Sequence, residues 1–182
     1  MDEKRTVRTS KRLSRVLRHE PELVGITLDG AGWVEVDVLL AALAAAGIRL
    51  TRAELDHVVA TNNKRRFAYS EDGRSIRASQ GHTVAVDLGL AATVPPARLF
   101  HGTATRSLDA IFREGLRPMA RRDVHLSADT DTAVRVGARH GRPVVLVVDA
   151  AAMAAAGHAF RISANGVWLT DAVPPEYLSR PR

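Results

Sequence analysis

Cysteine is absent from the 182-residue chain, which excludes disulfides, thiolate zinc sites, iron-sulfur clusters and cysteine nucleophiles together. Aromatic residues make up only 4% against 46% apolar residues in all, the balance of an ordinary globular chain. No apolar run reaches the roughly 18 residues that a membrane-spanning helix needs, and the charged amino terminus lacks the apolar stretch of a secretory signal. The expectation is a cytoplasmic protein with no membrane partner. The seven histidines include no HExxH-like pair, so no metal is expected. GxGxxG after a strand, GxxxxGK[ST] and GxSxG are all missing, which leaves Rossmann, P-loop and α/β-hydrolase readings without support.

Positive charge is what the chain has in excess: formally +6, with a pI near 10.6. Each Lys or Arg that meets a phosphate releases a condensed counterion, so this balance suits a polyanionic partner. Distribution says more than the total. Lys4, Arg5, Arg8, Lys11, Arg12, Arg15 and Arg18 face only Asp2 and Glu3 over the first nineteen residues, and Lys64, Arg65 and Arg66 form a second cluster. The first half reads as the polyanion-binding half, with Lys64, Arg65 and Arg66 positioning phosphates of that partner.

Ser10 is positioned to cap a helix whose apolar side is Leu13, Val16 and Leu17, and Pro21 stops it beyond Glu20. Trp33 to Val36 reads as a short strand after the Asp29-Gly30 turn. Asp37 can cap a helix through Ala46, and Thr51 to Glu54 is a capping box in front of Leu55, Val58 and Val59. Phe67–Tyr69 and Ser75–Ala78 flank the hairpin loop Ser70 to Gly73. This order of helices and hairpin matches a winged-helix lobe by analogy. The proline-containing stretch 91–98 reads as an inter-lobe connection, so the expected lobes are 1–92 and 93–182.

The second lobe should carry strands at Leu99 to Gly102 and Val124 to Ser127, and a helix capped by Ser107. Val144 to Val148 should form a strand buried on both faces, and Asn165-Gly166 a type I′ hairpin. The predicted class is α+β, with a mixed or antiparallel sheet in the second lobe.

Four segments combine Arg, His and Gly in ways that core or surface roles do not require: Arg18-His19, the stretch Ser75 to His82, Phe100 to Thr103, and Gly115 to Ser127. The ordered set L-R-H, K-x-R-F, I-R-A-x-Q-G-H, H-G-T, G-L-x-P-M-x-R, V-H-L-S and N-G-V-W-L resembles the RNA 2′-phosphotransferases of the KptA family, from about Leu13 to Tyr177. The resemblance implies a winged-helix RNA lobe joined to an ADP-ribosyltransferase-like NAD lobe. It also implies transfer of an internal RNA 2′-phosphate to NAD through an ADP-ribosylated 2′-phosphate, giving 2′-OH RNA, nicotinamide and ADP-ribose 1″,2″-cyclic phosphate.

By motif, the catalytic quartet falls on Arg18, His19, Arg77 and Arg121, with Arg122 an adjacent competitor for the last place. Asp123 stands where the family usually has histidine. His101, Gly102, Thr103, His125, Leu126 and Ser127 match positions that contact NAD. The alternative within the same fold is an ADP-ribosyltransferase acting on nucleic-acid phosphate ends; a different class is a winged-helix binder without activity. A monomer is expected, and a role in tRNA splicing or RNA repair follows from the resemblance alone.

Overall fold

Asp2, not Ser10, starts the first helix. Its carboxylate accepts from the Arg5 amide at 2.7 Å, and α1 runs Glu3–Arg18. Ser10 lies buried in mid-helix, where its hydroxyl accepts from Asn62 Nδ2 at 2.8 Å. Asp2 caps as well as Ser10 would and reaches the chain's charged start, so the longer helix wins.

The structure is a computed structural model that describes residues 1–62 and 64–181. It divides into two units, Met1–Gly89 and Leu90–Arg182.

In the first unit, β1 (Val34–Glu35), α2 (Val36–Ala45), α3 (Arg52–Ala60), β2 (Phe67–Tyr69) and β3 (Ser75–Ala78) follow α1. The strands pair antiparallel in the order β1-β3-β2. The capping box at Thr51 and Glu54 is present in both directions. The α2 start differs from expectation: Glu35 is its N-cap without a side-chain bond, and Asp37 falls in the first turn, where a carboxylate still favours the positive helix end. Leu13, Val16 and Leu17 of α1 enter a core with Leu39, Leu43, Leu55, Val58, Phe67 and Ile76, each fully buried side chain contributing about 1.5–3 kcal/mol.

The second unit runs β4 (Arg98–Ala104), α4 (Leu108–Glu114), β5 (Val124–Leu126), α5 (Thr130–Gly137), β6 (Pro143–Asp149), α6 (Ala150–Ala155), β7 (Arg161–Ile162), β8 (Trp168–Thr170) and β9 (Leu178–Ser179). Two antiparallel sheets result, β4-β6-β9 and β5-β8-β7, bridged where Phe100 and Ser127 exchange both backbone hydrogen bonds at 2.9 and 2.8 Å.

Three readings of this unit are corrected. In β6 only Leu146 and Val148 are fully buried, so one face of that strand is better covered than the other. Gly166 is left-handed at φ +78° but Asn165 is not, and register places five residues, 163–167, between Ile162 and Trp168. Type I′ needs both central residues left-handed; here the Ser163 hydroxyl instead holds the Val167 amide at 3.1 Å. Ser107 makes no side-chain cap bond ahead of α4, because a 3-10 turn at Thr105–Ser107 leads into the helix.

Among the described residues no helix is long and apolar enough to cross a membrane.

Candidate active site

The C-terminal turn of α1 presents Arg18 as its last residue and His19 as its cap. A loop following β3 returns to this helix end and satisfies it. The Thr83 and Val84 amides both donate to the Arg18 carbonyl, at 2.9 and 3.3 Å, occupying an acceptor that a helix end leaves open. The Thr83 hydroxyl also donates to that carbonyl at 3.4 Å and lies 3.1 Å from His19 Nδ1. Its single hydrogen being engaged, Thr83 Oγ1 accepts from Nδ1–H, which places the neutral His19 proton on Nδ1.

Arg77 on β3 is fixed from two sides. Its Nη1 donates to the carbonyls of Ala31 and Leu88, each at 3.2 Å, and its guanidinium lies 4.3 Å from the Trp33 ring centre. Trp33 is half-buried and serves as this platform. Burial lowers the Arg77 pKa, with Asp29 opposing.

At the centre stands His82, 3% exposed, its Nε2 without a hydrogen-bond partner among the described residues. Gly32 is its wall: a Cβ there would lie 3.3 Å from that nitrogen. Burial, then the charges of Arg18, Arg77 and His19, push the His82 pKa down to about 4. Three of the four quartet residues therefore gather around one neutral imidazole. An anion binding there meets cations already desolvated in part, with Asp29 the carboxylate that acts on Arg77.

The α1 end also opens on a cavity of about 730 Å³ whose walls include Lys11, Arg18, His19, Asn62 and Arg66. Of the three cations expected to position RNA, Arg66 reaches this cavity, and its carbonyl accepts from Arg18 Nη2 at 3.5 Å. Lys64 and Arg65 are exposed and outside its walls, with Arg65 in the left-handed region at φ 41°.

In the second unit, β4 and β5 bring a second cluster together. His101 Nδ1 lies 3.1 Å from the His125 carbonyl, and His125 Nδ1 lies 3.1 Å from Arg121 Nη1. A carbonyl only accepts and a guanidinium only donates, so His101 carries its proton on Nδ1 and His125 accepts through its Nδ1. Burial lowers the His101 pKa, partly offset by its bond to the His125 carbonyl. Burial and then Arg139 lower that of Arg121, although its side chain keeps solvent contact. Arg122 makes no such contact and is exposed, so of the adjacent arginines it is Arg121 that joins the histidines. Asp123 pairs with Arg161 at 3.5 Å, and Arg161 also meets Asp171 at 3.0 Å, which offsets the carboxylate's charge locally.

The remaining cofactor candidates divide by position. Ser127 is half-buried at the bridge to Phe100, and Leu126, 1% exposed, points into the core. Gly102 and Thr103 are covered by α5. A Cβ on Gly102 would lie 1.7 Å from the Ala133 carbonyl oxygen, so the glycine of HGT lets the helix touch the strand. Sequence reasoning missed Thr83 and the Trp33 platform; the hydroxyl directly after Gln-Gly-His was the signal for the first.

Residues 4–172 match the family described as RNA 2′-phosphotransferase, Tpt1 / KptA family. Proteins named "Probable RNA 2′-phosphotransferase" from Streptomyces griseus and Streptomyces coelicolor are each 62% identical, over 185 and 181 aligned residues. The alignments cover 98% and 100% of this chain and 98% of each relative. One from Hahella chejuensis is 57% identical over 93% of this chain and 91% of its own length. With the motif residues gathered as described and identity of this extent along the whole length, the chain belongs to the Tpt1/KptA RNA 2′-phosphotransferase family.

Proposed function

We propose that the chain transfers an internal RNA 2′-phosphate to NAD⁺, leaving 2′-OH RNA, nicotinamide and ADP-ribose 1″,2″-cyclic phosphate. The observation that carries this is the convergence of Arg18, His19 and Arg77 on the buried, neutral His82. A 2′-phosphomonoester is close to a dianion, and guanidinium groups hold its oxygens without losing charge. The order of three helices, a short strand and a hairpin supports reading the first unit as a winged-helix RNA lobe. The second unit, with its His101–His125–Arg121 chain, is read as the ADP-ribosyltransferase-like NAD lobe.

Bound NAD⁺ supplies the electrophilic ribose carbon and, in nicotinamide, a leaving group that departs neutral. The chain's own residues do the rest. Arg18, Arg77 and Arg121 clamp phosphoryl oxygens, and they matter most when charge concentrates there and an alkoxide leaves. His19, its Nδ1 proton held by Thr83, faces the phosphate through Nε2 and, in its imidazolium form, gives the Nε2 proton to the departing 2′-oxygen. His101, with its proton committed to the His125 carbonyl, offers Nε2 as an acceptor for a ribose hydroxyl. Ser127 adds its hydroxyl beside it, while Gly102, Thr103 and Leu126 shape the strands that carry both histidines. Lys64, Arg65 and Arg66 position flanking phosphates, and catalysis requires no metal.

The test is incubation with an oligonucleotide bearing one internal 2′-phosphate, with and without NAD⁺. Dephosphorylated RNA should form only with NAD⁺. Stable ADP-ribosylated RNA as the final product would instead indicate an ADP-ribosyltransferase, and no NAD⁺ dependence would remove the proposal.

A further inference from the structure

Lys4, Arg8, Lys11, Arg15 and Arg18 recur at intervals of four and three along α1. That spacing places them on one face of a helix, in a row of about 21 Å at 1.5 Å per residue. The row lies opposite Leu13, Val16 and Leu17, which face the core. Glu3 is the only carboxylate within the helix. A helix face kept merely soluble mixes signs, because like charges three and four residues apart repel.

Helix stability accounts for part of the row only. Arg15 and Arg18 sit in the last turn, where cations favour the negative end of the dipole, and Arg15 is also paired with Glu20 at 2.7 Å. Lys4 lies in the first turn, where the dipole opposes it, and Arg8 lies beyond the reach of either end. Lys4, Arg8 and Lys11 are exposed and form no ion pair among the described residues. The helix thus carries unrelieved repulsion along the stretch leading to Arg18 and His19.

We propose that this row is a track for the single RNA strand that flanks the 2′-phosphorylated nucleotide, a reading that rests on the proposed function. Its anionic backbone would lie along Lys4, Arg8 and Lys11 and deliver the phosphorylated nucleotide to the helix end. A groove of about 440 Å³ beside the row has Leu23 and Ile48 in its walls beneath Arg8 and Arg12. Leu23 is 50% exposed, an apolar surface suited to nucleobases next to cations suited to phosphates. An anionic membrane fits less well, since the apolar face of α1 is already spent on the core.

The experiment measures binding of a labelled single-stranded RNA without any 2′-phosphate, by fluorescence anisotropy across salt concentrations. The variant combines Lys4→Gln, Arg8→Gln and Lys11→Gln; a charge-matched control combines Arg106→Gln, Arg113→Gln and Arg142→Gln, all exposed in the second unit. The track predicts at least a roughly tenfold loss of affinity for the first variant, a salt slope reduced by about 2, and little change for the control. Equal losses in both variants, or none in the first, overturn it, as does equal loss of binding to phosphatidylserine vesicles that the wild type holds more tightly than RNA. Because no 2′-phosphate and no NAD⁺ are present, failure here is separate from failure of the proposed reaction.

Discussion

The two units are close in formal charge: residues 1–89 hold 14 Lys and Arg against 12 Asp and Glu, and residues 90–182 hold 12 against 8. They differ in where those charges sit. In the first unit α1 holds Glu3 as its one carboxylate, while Arg18 and Arg77 are bonded to backbone carbonyls and crowd one buried imidazole. In the second, the polar cluster is a chain of imidazoles whose protons are assigned by a carbonyl and a guanidinium, and its carboxylates at Asp123 and Asp171 are paired with Arg161. The lesson is that net charge does not locate an anion site; cations fixed by backbone carbonyls around one buried imidazole do. Under the proposed function, the first unit would take the phosphate and the second the hydrogen bonds to the nucleotide.

The contrast breaks most visibly in the arginines. Arg77→Ala should lower the rate of RNA dephosphorylation roughly 10²–10³-fold, with Arg121→Ala of similar size. In single-turnover time courses both variants should slow phosphate transfer more than joining of the phosphate to ADP-ribose, so ADP-ribosylated RNA accumulates. Complete loss of that species in both would show that the arginines serve the first step instead.

His82 sharpens the same contrast through stability. Its folded pKa of about 4 lies below the unfolded value of 6.5, so between these the unfolded chain binds a proton that the folded chain refuses. Stability therefore falls as pH drops from 6.5 toward 4, by roughly 3 kcal/mol from this group, and is insensitive to it above. Urea titrations over that range should show the loss in the wild type and a flatter profile in His82→Gln; parallel profiles would place the proton elsewhere.

Gly102→Ala asks whether HGT in the second unit serves packing. The new methyl meets backbone of α5, and about 1–3 kcal/mol of destabilisation is expected by thermal unfolding. An unchanged Tm with weakened NAD⁺ binding would assign the glycine to the ligand instead.

Thr83→Val should have the smallest effect, lowering kcat about tenfold through the lost bond to His19. KM for NAD⁺ should hold, and Thr83→Ser should recover most of the rate. Equal loss in both variants would reduce Thr83 to a packing role.

Much of this was legible in the chain because it depends on neighbours in sequence. The capping box at Thr51, the hairpin at Ser70 to Gly73 and the core face Leu13, Val16 and Leu17 are local patterns, and the structure contains them. The start of α1 was not, since Asp2 and Ser10 are equally good caps and only the docking of Asn62 onto Ser10 distinguishes them. Arg121 and Arg122 differ by one residue, so which reaches His125 depends on a turn containing the left-handed Met119 at φ 56°. Gly102 reads as a ligand-side glycine until α5, some thirty residues later, is laid on it. Thr83 matters through two groups more than sixty residues away in sequence, which no local pattern reveals.

The central claim is that one phosphorus atom leaves RNA and ends on ADP-ribose under the grip of these arginines. Phosphorus NMR of the reaction of 2′-phosphorylated RNA with NAD⁺ follows that atom directly. The account predicts that the 2′-monoester resonance disappears as a cyclic phosphodiester resonance grows by the same amount. Appearance of inorganic phosphate, or phosphorus that stays attached to RNA, would contradict it.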